Sequence, residues 1–119
     1  MLEWIDAQYV ETLFLTAVTV GELRFGAAAL PAGRRRELFM RQLETGVLPL
    51  FAGRVLAYDL EAAAAYARIM SAARAAGVAV GTADAMIAAT AAAADMTVAT
   101  RDTTPFRAAG VPVIDPWEC

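Results

Sequence analysis

The chain has 119 residues, 10 Lys+Arg against 13 Asp+Glu for a formal net charge of −3, and a mean hydropathy of +0.49. It contains no His, no Lys and no Asn, a single Ser (Ser71) and a single Cys, the last residue Cys119. These absences exclude Ser-His and Cys-His nucleophile pairs, the usual zinc sites, Schiff-base amines and a P-loop lysine. What remains for chemistry is carboxylates, arginines, hydroxyls and the backbone, and carboxylates at neutral pH usually act by holding a hard cation.

With 29 alanines the chain reads as a helix-rich globular domain. The mildly acidic balance carries no strongly basic field for nucleic acid or anionic membrane, although a divalent ion in a carboxylate site reverses the local sign. One terminal Cys fits a reducing, cytoplasmic setting, and the acids in residues 1–8 do not read as a signal peptide. Between Asp84 and Asp95 runs a charge-free stretch of ten residues, about half a membrane span, so a buried helix is expected and no membrane partner.

In chain order, residues 2–8 read as the end of a short amphipathic helix. Residues 12–18 are short, apolar and rich in β-formers, as in a buried parallel strand. Thr19-Val20-Gly21-Glu22 reads as a capping box opening a helix to about Leu30, ended by Pro31 and Gly33. A second helix carries Arg34, Arg35 and Arg36 on its first turn, with Leu38, Leu43 and Met40 as inward candidates. A strand is expected at residues 54–58, and Asp59 as the N-cap of a long alanine-rich helix, 60–76, with Leu60, Tyr66, Ile69, Met70 and Ala73 toward the core. Gly77 ends that helix. Residues 81–84 open another that reaches about Ala94; a strand follows at 96–100, then a loop with a short helical turn, and a last strand at 111–114. Strands alternating with helices predict an α/β fold with a parallel sheet covered on both faces.

In such sheets ligands lie beyond the carboxyl ends of the strands, which directs attention to three acids. Glu22 follows the first strand, and the same spacing serves a capping box. Asp84 opens a helix that is apolar nearly all round, where an acid also favours the helix dipole. Asp102 follows the 96–100 strand with Thr100, Arg101 and Thr103 beside it, a setting that equally suits a turn. Asp59 shares the context and needs no role beyond capping. Three carboxylates brought to one place would repel unless a cation or a proton compensated them. The Arg34-Arg35-Arg36 triplet is either a solvated face, a patch for an acidic partner or a set of phosphate contacts.

Four blocks in order, residues 19–26, 82–91, 98–106 and 110–117, resemble the PIN-domain family in its VapC/FitB-like branch, the toxins of bacterial type II toxin–antitoxin systems. The resemblance runs from about residue 2 to 117. It implies one PIN-like domain over residues 1–119 with a three-layer α/β/α fold and a central parallel sheet. It further implies an endoribonuclease dependent on Mg²⁺ or Mn²⁺, a homodimer, an RNA substrate and a cognate antitoxin. By position Glu22, Asp84 and Asp102 match the family's acidic metal-binding residues, and Thr100 a supporting hydroxyl.

One departure stands out. Family members begin with an apolar strand, central in the sheet and ending in an Asp that ligates metal, and this sequence starts after that element. Asp6 has no strand before it and does not take the role. Either the sequence begins downstream of the natural start, or it is a degenerate toxin that still dimerises and binds an antitoxin without cutting RNA. A receiver domain, which also gathers acids around Mg²⁺, fits poorly because it uses a lysine.

Overall fold

The structure, a computed structural model, describes residues 12–117. The helix expected over residues 2–8 lies outside them. The described elements are β1 (Leu15–Thr16), α1 (Ala17–Ala28), α2 (Arg34–Gln42), a π turn (Leu43–Val47), a 3₁₀ turn (Leu48–Phe51), β2 (Val55–Leu56), α3 (Leu60–Ala75), α4 (Thr82–Ala93), β3 (Val98–Ala99), α5 (Thr104–Ala108) and β4 (Val113–Ile114).

The first strand passes into the first helix without a loop. Thr16 keeps extended geometry (φ −94°, ψ 152°), and its Oγ1 accepts from the Thr19 amide at 2.9 Å while also pairing with the Thr19 hydroxyl at 2.8 Å. Thr16 is therefore the cap, and the helix starts at Ala17, ahead of the capping box read from the sequence. Glu22 falls in the second turn, too far along to serve the orphan amides. Asp59 caps α3 as expected, its Oδ1 accepting from the Ala62 amide at 2.9 Å, and Gly77 takes the left-handed position after it (φ 70°). At the end of α4 the same position is filled by Asp95 (φ 56°), with the Met96 amide donating back to Ala91 O at 2.9 Å. A short polar side chain tolerates that geometry, so no glycine signal marks this helix end.

The core is a seam of small residues. Ala62, Ala65, Ile69 and Ala73 recur at three- and four-residue spacing on α3 and pack against Ala85, Ala88 and Ala89 of α4. Phe106 of α5 and Val111 close the cluster, with Tyr66, Met70, Val80, Ile87, Val98, Ala109 and Val113 partly buried around it. Among the described residues no large side chain is fully buried. The one buried hydroxyl within the seam helix, Thr90 Oγ1, donates to Met86 O at 2.7 Å and so carries no desolvation penalty. Three inward expectations are corrected: Leu60 is 88% exposed, and Leu38 and Met40 are also exposed. Leu60 is the first residue of α3, before its inward stripe begins. Of the apolar residues expected from the second helix, only Leu43 is buried, just past the end of α2.

The strands are parallel, as the alternation predicted, but they form two pairs. β1 pairs with β2 (Leu15↔Val55, Thr16↔Leu56) and β3 with β4 (Val98↔Val113, Ala99↔Ile114). Among the described residues no strand joins the pairs. Arg54 braces the first: its Nε donates to Leu13 O at 3.0 Å and its Nη2 to Leu50 O, with the guanidinium 5.8 Å from the Phe51 ring centroid.

Because Ala85, Ala88 and Ala89 have essentially no exposed surface, the seam has no room for added methylenes. Ala88→Leu is expected to cost about 1–3 kcal/mol through overpacking, read as a lower urea midpoint at unchanged slope. An unchanged midpoint would mean that the two helices can separate without loss.

Candidate metal centre

The three acids singled out in the sequence sit on three different supports. Glu22 is exposed on the second turn of α1, the helix that β1 feeds directly. Asp84 is half-buried in the first turn of α4, close over Gly81: a methyl group at Gly81 would lie 3.7 Å from Asp84 Oδ2. Asp102 is exposed in the loop after β3. Thr100, half-buried two residues earlier, is fixed through its backbone, its amide donating to Ile114 O at 3.0 Å.

That loop is tied to the one after β4. The Arg101 guanidinium lies 5.2 Å from the Trp117 ring centroid, a cation–π distance, and the Trp117 amide donates to Asp115 Oδ1 at 2.8 Å. Asp102 thus follows directly on a residue stacked against Trp117.

Among the described residues none of the three carboxylates has a hydrogen-bond or ion-pair partner. An acid that sequence reading did not single out carries an ion pair. Arg24 on α1 and Glu44 in the π turn form a two-pronged pair, Nε to Oε1 at 2.8 Å and Nη2 to Oε2 at 3.1 Å. Twenty residues separate them, so no local spacing signals the contact. The hydrogen bond and then the charge of Glu44 raise the Arg24 pKa above its ordinary value. The hydrogen bond from Arg24, with its positive charge adding to it, holds Glu44 below the ordinary carboxylate range.

The unpaired acids fit a hard divalent cation in kind, being free oxygen donors in a chain without His. Their spacing is another matter. Among the described residues no three acidic or thiol side chains are gathered closely enough to hold an ion.

The PIN domain model matches residues 1–111. The chain belongs to the PIN domain family. It is 58% identical over 118 residues to "VapC ribonuclease Y4jK" of Sinorhizobium fredii, covering 99% of this chain and 84% of that protein. It is 46% identical over 117 residues to "Toxin FitB" of Neisseria gonorrhoeae, covering 98% and 84%. The crystal structure of FitAcB from Neisseria gonorrhoeae superimposes with a TM-score of 0.93 at 46% identity, over 99% of this chain and 85% of that one. The α/β fold with parallel strands is thus the PIN fold. No helix among the described residues is long and apolar enough to cross a membrane.

The Arg24–Glu44 pair makes a pH-dependent contribution of known sign. A carboxylate whose folded pKa is depressed adds stability above its unfolded pKa, and that stability is lost as pH falls through the folded value. Glu44→Gln is therefore expected to flatten the loss of stability as pH falls below the ordinary Glu value of about 4.3, most visibly at low salt because the pair is exposed. Urea midpoints of both proteins across that range check it; parallel curves would show that the pair contributes nothing.

Proposed function

We propose that this PIN-domain protein is an endoribonuclease dependent on Mg²⁺ or Mn²⁺ and the toxin of a type II toxin–antitoxin module. It acts in the cytoplasm as a homodimer built from one domain over residues 1–119, and a cognate antitoxin holds it in check. The observation that carries this reading is the 58% identity, over 99% of the chain, to a VapC ribonuclease. The three unpartnered carboxylates in a chain without His or Lys support it independently.

Glu22, Asp84 and Asp102 would hold the ion, which when bound supplies Lewis-acid polarisation of a phosphate oxygen and a more acidic water. Asp84 is the least solvated of the three, and the amide dipoles of the first turn of α4 complement its negative charge. The Thr100 hydroxyl stands close in sequence to Asp102 and can donate to a phosphate oxygen. Arg34 and Arg35 are exposed in the first turn of α2, where positive charge opposes the helix dipole. They do not serve the helix there, and they are free to meet RNA phosphates. Exposed Phe25, Leu38, Phe39 and Leu50, on α1, α2 and the turns after them, offer an apolar surface for the antitoxin.

One observation favours a second reading. Because the three acids are not gathered as they stand, the chain could be an inactive relative that keeps its dimer and antitoxin surfaces. The two readings part in one assay. Under the first, RNA is cut only when Mg²⁺ or Mn²⁺ is supplied, EDTA abolishes cutting, and Asp84→Asn lowers the rate about 100-fold or more while the melting curve stays cooperative. Cutting by Asp84→Asn in EDTA at the original rate would refute the metal-centred reading. Absent cutting with intact antitoxin binding would establish the second.

A further inference from the structure

Beyond the β3–β4 pair the chain fixes a tryptophan in place without burying it. The Thr100 amide still donates to Ile114 O at 3.0 Å. Past that bond the two parallel strands release segments on the same side, Arg101 and Asp102 after β3 and Asp115, Pro116 and Trp117 after β4. Pro116 is buried, and the Trp117 amide donates to Asp115 Oδ1 at 2.8 Å, which sets the backbone of the turn. The indole nevertheless stays 47% exposed. Tryptophan ordinarily buries most of its large ring, and here the turn places the proline inside and the indole outside.

Arg101 takes part of that surface. Its guanidinium lies 5.2 Å from the ring centroid, within cation–π range. A flat ring has two faces, and one guanidinium occupies one of them. Stacking also engages the face of the guanidinium and not its N–H edge, and among the described residues Arg101 makes no hydrogen bond or ion pair.

Place and chemistry together select a ligand. Both segments lie beyond the carboxyl ends of parallel strands, where α/β sheets bind their ligands, and Asp102 follows Arg101 directly. Arg101, Asp102, Thr103 and Asp115 are polar, so the two segments offer little apolar surface besides the indole. A docking protein needs a wider apolar patch. An unpaired nucleobase needs one open π face to stack on and a cation for the phosphate beside it.

We infer that Trp117, held by Arg101, is a stacking platform for one unpaired base of the RNA, with the guanidinium edge of Arg101 on the adjoining phosphate. The inference takes its ligand from the ribonuclease reading above but does not involve the ion, because stacking needs no metal. A purine presents the larger π surface, so the subsite favours purines.

The test measures binding by fluorescence anisotropy in EDTA, with the 119-residue chain and two labelled octamers, oligoadenylate and the same ribose-phosphate strand without bases. The unsubstituted chain is expected to bind oligoadenylate about tenfold or more tightly than the abasic strand. Trp117→Leu, which keeps apolar bulk in the turn, should weaken binding of oligoadenylate alone and so erase the preference, while Trp117→Phe keeps most of it. Arg101→Gln should weaken both octamers and make binding less salt-dependent. Undiminished binding of oligoadenylate by Trp117→Leu would overturn the inference, as would no effect of Arg101→Gln on either octamer. So would an equal loss on both octamers in Trp117→Leu, the mark of a purely structural or subunit contact. If the unsubstituted chain binds neither octamer the inference also falls, and cutting of RNA with Mn²⁺ then decides whether the ribonuclease reading falls with it.

Discussion

The close approach of α3 and α4 is the constraint on which the other features rest. Alanines at Ala62, Ala65, Ala85, Ala88 and Ala89 let the two helices meet with almost nothing between them. Side chains this small bury little area each, so the seam gains from shape and proximity more than from bulk. Helix α4 is used on every side: it carries Asp84 in its first turn, packs on α3 along one face, and floors the cleft between the strand pairs with Ile87 and Ala91. That threefold use explains why it is apolar nearly all round, a pattern that amphipathicity arguments read only as burial.

Electrostatics divides along similar lines. The paired charges, Arg24 and Glu44, brace α1 against the turn after α2. The acids assigned to the proposed ion are left unpaired, and one of them is half-buried. The chain has ten cations, all arginine, and three of them have described contacts elsewhere: Arg24 with Glu44, Arg54 with Leu13 O and Leu50 O, Arg101 with Trp117. A divalent ion, as proposed, has the charge and the preference for oxygen that such acids suit.

Much of the fold was legible because local signals and tertiary packing agree. Asp59 caps α3 and Gly77 ends it; the order of helices and strands follows the alternation of pattern, and the family resemblance is borne out by the PIN match over residues 1–111. The failures share a cause, which is that one-dimensional spacing does not report what lies across space. Thr16 outcompeted Thr19 as a cap because its own hydroxyl was already placed to accept the Thr19 amide. Leu38 and Met40 fit an amphipathic helix, yet α2 buries neither, since only the turn after it reaches the interior. The division of the sheet into two pairs was invisible for the same reason: each strand reads as buried and parallel whether or not its outer edge is paired. At the site, the residue types were readable and their convergence was not.

The central claim is that Glu22, Asp84 and Asp102 act as one centre. Titration with Mn²⁺ followed by paramagnetic broadening of the backbone amides tests it most directly, because broadening falls steeply with distance from the ion and does not depend on the choice of RNA. The account predicts saturable loss of the amide signals of all three residues together, with Thr100, and retention of those signals in Asp84→Asn. Broadening confined to one of the three, or unchanged by that substitution, would contradict it.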